Sequence, residues 1–238
     1  MKSHFAFGAL AVTAAMASGS AQAQESSYNW SGAYAGAYIS STTLQTRAFD
    51  VTMEEYSESD GWMSLEDSAV ALGVMAGYNY QRGNWVMGPE LDLNFASTGH
   101  TKVDHEDNGL TSELGFNGSI TGRVGYATGR SLFFARGGAA WAKLRNAGGE
   151  FDGVGVEGTN GKWGYDGDEA GFFDGTRTGY VLGMGLEHAL TDQIRLRAEY
   201  SYTNFGEARY GGTDGMTDEP FEFKNELRQI KLGLTYAF

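Results

Sequence analysis

The run Ile194-Arg195-Leu196-Arg197-Ala198-Glu199-Tyr200-Ser201-Tyr202-Thr203 decides how this chain folds. Ile194, Leu196, Ala198, Tyr200 and Tyr202 alternate with Arg195, Arg197, Glu199, Ser201 and Thr203. A helix would mix the two sets around its circumference, whereas an extended strand places them on opposite faces. The polar face carries Arg195, Arg197 and Glu199, which need water or charged partners.

The same period of two recurs along the chain. Trp85, Met87, Pro89, Leu91, Leu93 and Phe95 oppose Gly88, Glu90, Asp92 and Asn94. Val70, Leu72, Val74, Ala76, Tyr78 and Tyr80 oppose Ala71, Gly73, Met75, Gly77 and Asn79. Leu114, Phe116, Ile120, Val124 and Tyr126 oppose Glu113, Asn117, Ser119, Thr121 and Arg123. Tyr180, Leu182, Met184 and Leu186 oppose Val181, Gly183, Gly185 and Glu187. Ile230, Leu232, Leu234, Tyr236 and Phe238 oppose Gln229, Lys231, Gly233, Thr235 and Ala237. Leu132 to Trp141 is apolar on both faces, and Arg136 sets its phase. An arginine facing lipid near the bilayer midplane costs about 2–4 kcal/mol, so Arg136 is placed inward and Phe133, Ala135, Gly137, Ala139 and Trp141 outward. A first strand over Trp30 to Thr46, rich in Ala, Gly and Ser, completes a set of eight.

Strands of about 10 to 15 residues are long enough to cross a bilayer when tilted, for which about 9–11 suffice. An open β-sandwich shows a similar alternation, but the connections argue against it. Gln81 to Asn84, Thr128 to Ser131 and Leu190 to Gln193 are short, and they alternate with long connections at 47–67, 97–112, 143–177 and 206–226. That is the plan of an all-β, up-and-down antiparallel transmembrane β-barrel with short periplasmic turns and four long extracellular loops. On this plan Trp30, Tyr78, Tyr80, Trp85, Tyr126, Phe133, Tyr236 and Phe238 form a periplasmic girdle. Phe95, Phe116, Trp141, Tyr180 and Tyr202 form an outer one.

The composition agrees. The chain has 238 residues, with 36 Gly and only 2 Pro, which suits tight turns and close strands. The absence of Cys excludes disulfides, thiolate metal sites, a thiol nucleophile and a lipidated N-terminal cysteine. A formal net charge of −13 speaks against general nucleic-acid binding. Lys2, the apolar run Phe5 to Ala17 and the Ala21-Gln22-Ala23 site read as a signal peptide over residues 1–23, cut after Ala23, leaving 24–238 as the barrel. That apolar run is short of the roughly 20 residues a membrane-spanning helix needs. No further domain is expected after the last strand.

Four stretches carry a resemblance. They are Gly179 to Gly206 (GYVLGMGLEHALTDQIRLRAEYSYTNFG), Ile120 to Trp141 (ITGRVGYATGRSLFFARGGAAW), NWSGAYAGAYIS near the mature start and IKLGLTYAF at the end. Together they resemble the small porin-like outer-membrane β-barrel family of alphaproteobacteria, the outer membrane immunogenic protein type. The most specific pieces are Gly122-Arg123-Val124-Gly125-Tyr126 and Glu199 to Tyr202. The resemblance implies an abundant surface protein of a Gram-negative outer membrane, with structural or host-contact roles and no single reaction. It also implies that Tyr236 and Phe238 form the signal read by the barrel-assembly machinery.

Candidate chemistry is sparse. His188 falls at the periplasmic end, whereas a lipid hydrolase or acyltransferase would need a His near the outer leaflet beside Ser or Asp. His100 and His105, near Asp104, Glu106 and Asp107, read as a solvated acidic loop or a weak metal site. No catalytic, cofactor-binding or metal residue is assigned, and no cofactor is expected. The inward charges Glu90, Asp92, Arg123, Arg136, Glu187, Arg195, Arg197, Glu199 and Lys231 are expected to pair as a plug, because eight strands enclose only enough room for their own side chains. Inward glycines at 73, 77, 115, 125 and 183 would leave space for arginines to cross. A narrow gated ion path is the alternative.

The segments 47–67, 97–113, 143–177 and 206–226 hold 24 Asp and Glu against 8 Lys and Arg. They would stand among lipopolysaccharide phosphates, which divalent cations could bridge to the carboxylates. The sequence therefore points to a non-enzymatic barrel serving envelope structure and surface interaction. Alternatives are a low-conductance porin, a lipid-modifying enzyme and a haem-binding or adhesive protein.

Overall fold

The computed structural model describes residues 28–50, 62–96, 98–103, 108–151, 165–210 and 221–238. The signal peptide and its cleavage site lie outside them, as do His105, Asp104, Glu106 and Asp107. The His100 side chain is also outside.

The described strands are β1 (Gly32–Asp50), β2 (Trp62–Arg82), β3 (Trp85–Asn94), β4 (Thr98–Val103), β5 (Asn108–Thr128), β6 (Ser131–Phe151), β7 (Tyr165–Ala189), β8 (Ile194–Tyr210) and β9 (Phe221–Ala237). All pairings are antiparallel, and β9 closes on β1. Both β3 and β4 lie along β5. Asn94 faces Asn117 and Thr98 faces Leu114, so one chain advances four residues while the other advances three. This bulge makes β3 and β4 two halves of one stave, and the ring has eight staves. Two-residue turns at Gly83-Asn84 and Gly129-Arg130 begin with glycines at φ 61° and 54°, a region that disfavours other residues.

The outward face is the apolar one. Val70, Leu72, Ile120, Phe133, Leu182, Met184, Ile230 and Leu232 are all exposed, forming a belt that only lipid can cover. Tyr78, Tyr80, Trp85, Tyr126, Tyr236 and Phe238 edge it at the turn end, with Phe95, Phe116 and Tyr180 at the other. Trp141 and Tyr202 are half-buried at that outer edge.

Three features differ from the reading of the sequence. Trp30 does not join the girdle. It is fully buried inside the turn end of the ring, with Tyr28, Val86, Ala127, Leu132 and Ala189. The strand proper begins only at Gly32 (φ 126°), and the preceding residues fold inward. Leu114 is also inside, 1% exposed. A bulge between Leu114 and Asn117 reverses the phase of β5 there, because a single extra residue moves every side chain beyond it to the other face. The strands also run well past the belt, up to 25 residues in β7, and so reach into the segments 47–67, 97–112, 143–177 and 206–226 that the sequence reading gave to connections. Beyond the membrane the outward residues turn polar, which removes the alternation that marks a lipid-facing strand.

One edge is not fully zipped. The Phe95 N–H donates to the Leu72 carbonyl at 2.8 Å. Above that rung, among the described residues, no ladder joins residues 62–71 of β2 to β4.

Candidate functional site

The lumen is filled in layers, and β8 shows their order. From the turn end its inward residues are Arg195, Arg197, Glu199, Ser201, Thr203 and Phe205, passing from charge to hydroxyl to aromatic. The ring repeats that order. An aromatic cap of Tyr28 and Trp30 comes first. The ionic cluster follows, then a hydroxyl and amide layer that includes Ser40, Thr42, Asn94 and Gln229. Above it lies an apolar layer of Leu44, Leu114, Leu144, Val181, Phe205 and Leu227. Thr46, Ser112, Asn146 and Asn225 then bond across the lumen at 2.6–3.0 Å. Ala48, Leu65, Leu110 and Phe223 close the outer end. The sequence reading expected a charged plug in the lumen, and the two apolar layers are an addition to it.

The ionic cluster has four carboxylates and four cations that form one network. Glu90 meets Arg197 at 2.5 Å, Arg123 at 3.2 Å and Arg136 at 3.6 Å. Glu187 lies 2.9 Å from Arg123 and 3.2 Å from Arg197. Glu199 binds Arg136 at 2.7 Å, Arg197 more closely still, and Lys231 at 3.8 Å. Lys231 joins Asp92 at 3.0 Å. Glu187 and Arg197 are direct cross-strand partners, as are Glu199 and Lys231, so strand register creates two of these pairs before any side chain is placed. Burying these charges is tolerable because each has an opposite partner within reach.

Arg195 is the ninth inward charge and stands apart. It contacts no carboxylate in this cluster. Its Nε donates to the Tyr28 hydroxyl at 3.0 Å, and its guanidinium lies over the Trp30 ring at 4.7 Å. Tyr28 in turn donates to the Asp192 backbone carbonyl, and the Trp30 backbone N–H to Gln81 Oε1 at 2.7 Å. The arginine thus holds the aromatic cap in the turn-end mouth.

Tyr34, Tyr38 and Phe134 belong to the network although no charge announced them. The Tyr34 hydroxyl donates to Glu90 at 2.6 Å and that of Tyr38 to Asp92 at 3.0 Å. Phe134 sits between Arg123 and Arg197, at 4.4 and 4.5 Å from its centroid. The space at Gly73 and Gly77 is taken by the Tyr38 and Tyr34 rings, which a Cβ at either position would overlap. Of the inward glycines, Gly183 is the one beside an arginine, Arg136. The signal was present in the sequence, since Tyr34, Tyr38, Ser40 and Thr42 share one parity against Ala33, Ala35, Ala37 and Ile39.

The remaining predicted residues are peripheral. His188 accepts or donates a 2.9 Å bond with Ser131 on the outer face of the turn end. Tyr236 and Phe238 stack edge to face at 5.2 Å on the outside of β9. Above the belt, Arg145 faces Asp174 and Glu113 across neighbouring strands at 3.1 and 3.4 Å. The Asp174 carboxylate, with Glu113 behind it, raises the Arg145 pKa above the ordinary guanidinium value.

A closed antiparallel ring that is oily outside and charged within, with short turns at one end, defines an integral outer-membrane β-barrel protein. The family model described as "Outer membrane protein beta-barrel domain" matches residues 8–238, and the chain belongs to that family. It is 29% identical over 213 residues to the 25 kDa outer-membrane immunogenic protein of Brucella abortus, covering 89% of this chain and 80% of that protein. It is 28% identical to the 22 kDa outer membrane protein of Rhizobium leguminosarum, over 69% of this chain and 64% of that one. Among solved structures it resembles the outer membrane protein OprG of Pseudomonas aeruginosa, with a TM-score of 0.51 at 14% identity. That likeness covers 87% of this chain and 96% of OprG. The chain is thus a Gram-negative outer-membrane protein with relatives named as outer-membrane immunogenic proteins.

Proposed function

We propose that this protein is a non-enzymatic barrel that reinforces the outer membrane and presents an acidic surface, its lumen sealed, after export by a signal peptide cut behind Ala23. The observation that carries this reading is the stack inside the ring. A path for ions would have to cross the aromatic cap, the eight-membered ionic cluster and two apolar layers. The cavity between cluster and first apolar layer, lined by Asp92, Arg136, Phe205 and Leu227 among others, holds about 10 Å³, no more than one water. An ion there would leave its hydration shell without replacement ligands, which is costly.

The test is conductance in planar bilayers. Purified barrel should give no steady current at moderate voltage. Removing both the cap and an apolar layer, with Trp30→Ala and Phe205→Ala, should raise the frequency of brief openings. Large steady openings of nanosiemens scale in the unmodified protein would overturn the sealed lumen and favour a porin.

A further inference from the structure

Just above the outer girdle the wall carries a cleft of about 530 Å³ that opens outward between β4, β5, β6 and β7. Gly99, Gly115 and Gly175 line it, three wall positions without a side chain. The β5 bulge that buries Leu114 borders it and bends the wall there. Its polar groups stand at two heights. Lys143 and Thr176 are cross-strand partners at the lower one. Arg145, with its partners Asp174 and Glu113, is two residues higher.

Lys143 is exposed and makes no ion pair among the described residues. Arg145 is held by carboxylates through Nε and Nη1, which leaves Nη2 directed elsewhere. Height decides what reaches this cleft. Trp141, at the girdle, lies two residues below Lys143 on the same face of the same strand. At roughly 3.3 Å per residue and a tilt near 40°, Lys143 stands about 5 Å and Arg145 about 10 Å above it. That interval is the headgroup layer of the outer leaflet.

We infer that this cleft seats the phosphorylated sugar headgroup of an outer-leaflet glycolipid. Lys143 meets the phosphate, with the Thr176 hydroxyl beside it. The Glu113 and Asp174 carboxylates one level higher accept hydrogen bonds from sugar hydroxyls, a role for which a plain phospholipid headgroup has fewer donors. The acyl chains of the same molecule lie on the belt beneath Trp141. The phosphate is met without a bridging divalent ion, because Lys143 carries a positive charge that no carboxylate takes up among the described residues, whereas Arg145 is already paired with Asp174 and Glu113.

Native mass spectrometry of the detergent-solubilised barrel tests this with bis-phosphorylated lipid A, phosphatidylglycerol and inorganic phosphate, all in EDTA. Lipid A should be retained in preference to both other probes. Lys143→Ala should weaken its retention about tenfold or more, the loss of one charge-assisted bond, while Lys143→Arg keeps it. Arg47→Ala, an exposed cation on β1 outside the cleft, should change nothing. Unheated gel mobility confirms that each variant is folded. Equal retention by Lys143→Ala, equal retention of phosphatidylglycerol, competition by free phosphate at similar concentration, or a requirement for Mg²⁺ would each overturn the assignment.

Discussion

Glu187 is wholly buried, and its Oε1 stands between Arg123 and Arg197. Replacing it with Ala leaves two guanidinium groups short of a partner in a space with little water. The expected cost is about 3 kcal/mol in urea unfolding of the lipid-inserted barrel. Adding Arg197→Ala to that variant should cost about 1–3 kcal/mol less than it does alone. Adding Arg195→Ala should cost its full separate amount, because Arg195 serves Tyr28 and Trp30. Coupling to Arg195 in place of Arg197 would show the contacts to be misassigned. The two-residue period turned eight charged side chains inward, and the cost of an arginine in lipid turned the ninth, Arg136. The period could not separate Arg195 from Arg197, which share a strand and a face. Their difference depends on where residues 28–31 go, and a short segment without alternation carries no such signal. Tyr34 and Tyr38 share the inward parity of Ser40 and Thr42, but they carry no charge, so the sequence did not mark them as partners of Glu90 and Asp92.

At the scale of the element, the belt portions of the strands were legible and the upper portions were not. On β6 the outward residues pass from Phe133 and Trp141 to Lys143 and Arg145, while the inward ones pass from Arg136 to Leu144. A strand that is apolar outside below and apolar inside above averages to no pattern. The reversal of β5 at Leu114 is likewise invisible, since a bulge shows in the sequence only as one residue too many. The unzipped upper edge of β2 has a measurable outcome. Among the described residues, no ladder pairs 65–71 with β4, whereas 73–77 pair with β3. Hydrogen exchange should be faster in the upper set by about tenfold or more. Equal protection on both sides of Leu72 would mean that the edge is closed in solution.

For the whole molecule, the exposed belt sets the solvent. The folded barrel should require detergent or lipid and should migrate differently on gels before and after boiling, because a closed ring resists unfolding by detergent alone. A mature chain that remains folded and monodisperse in plain buffer would contradict the architecture.

The height to which the ring extends beyond the lipid has its own consequence. Phe151 lies ten residues past Trp141 on β6, a rise of about 25 Å for a tilted strand. Among the described residues that part of the tube has polar side chains outside and, inside, two apolar layers with the Thr46, Ser112, Asn146 and Asn225 layer between them, so it is a pedestal standing in water. Screening in physiological salt fades charge interactions over about 8 Å. A charge at the height of Phe151 therefore scarcely senses the headgroups of the leaflet below. Near the headgroups stand Lys143 and, two residues higher, Arg145 with Asp174 and Glu113, so along this wall strand register sets which charges lie close enough to act on the leaflet and which are screened from it.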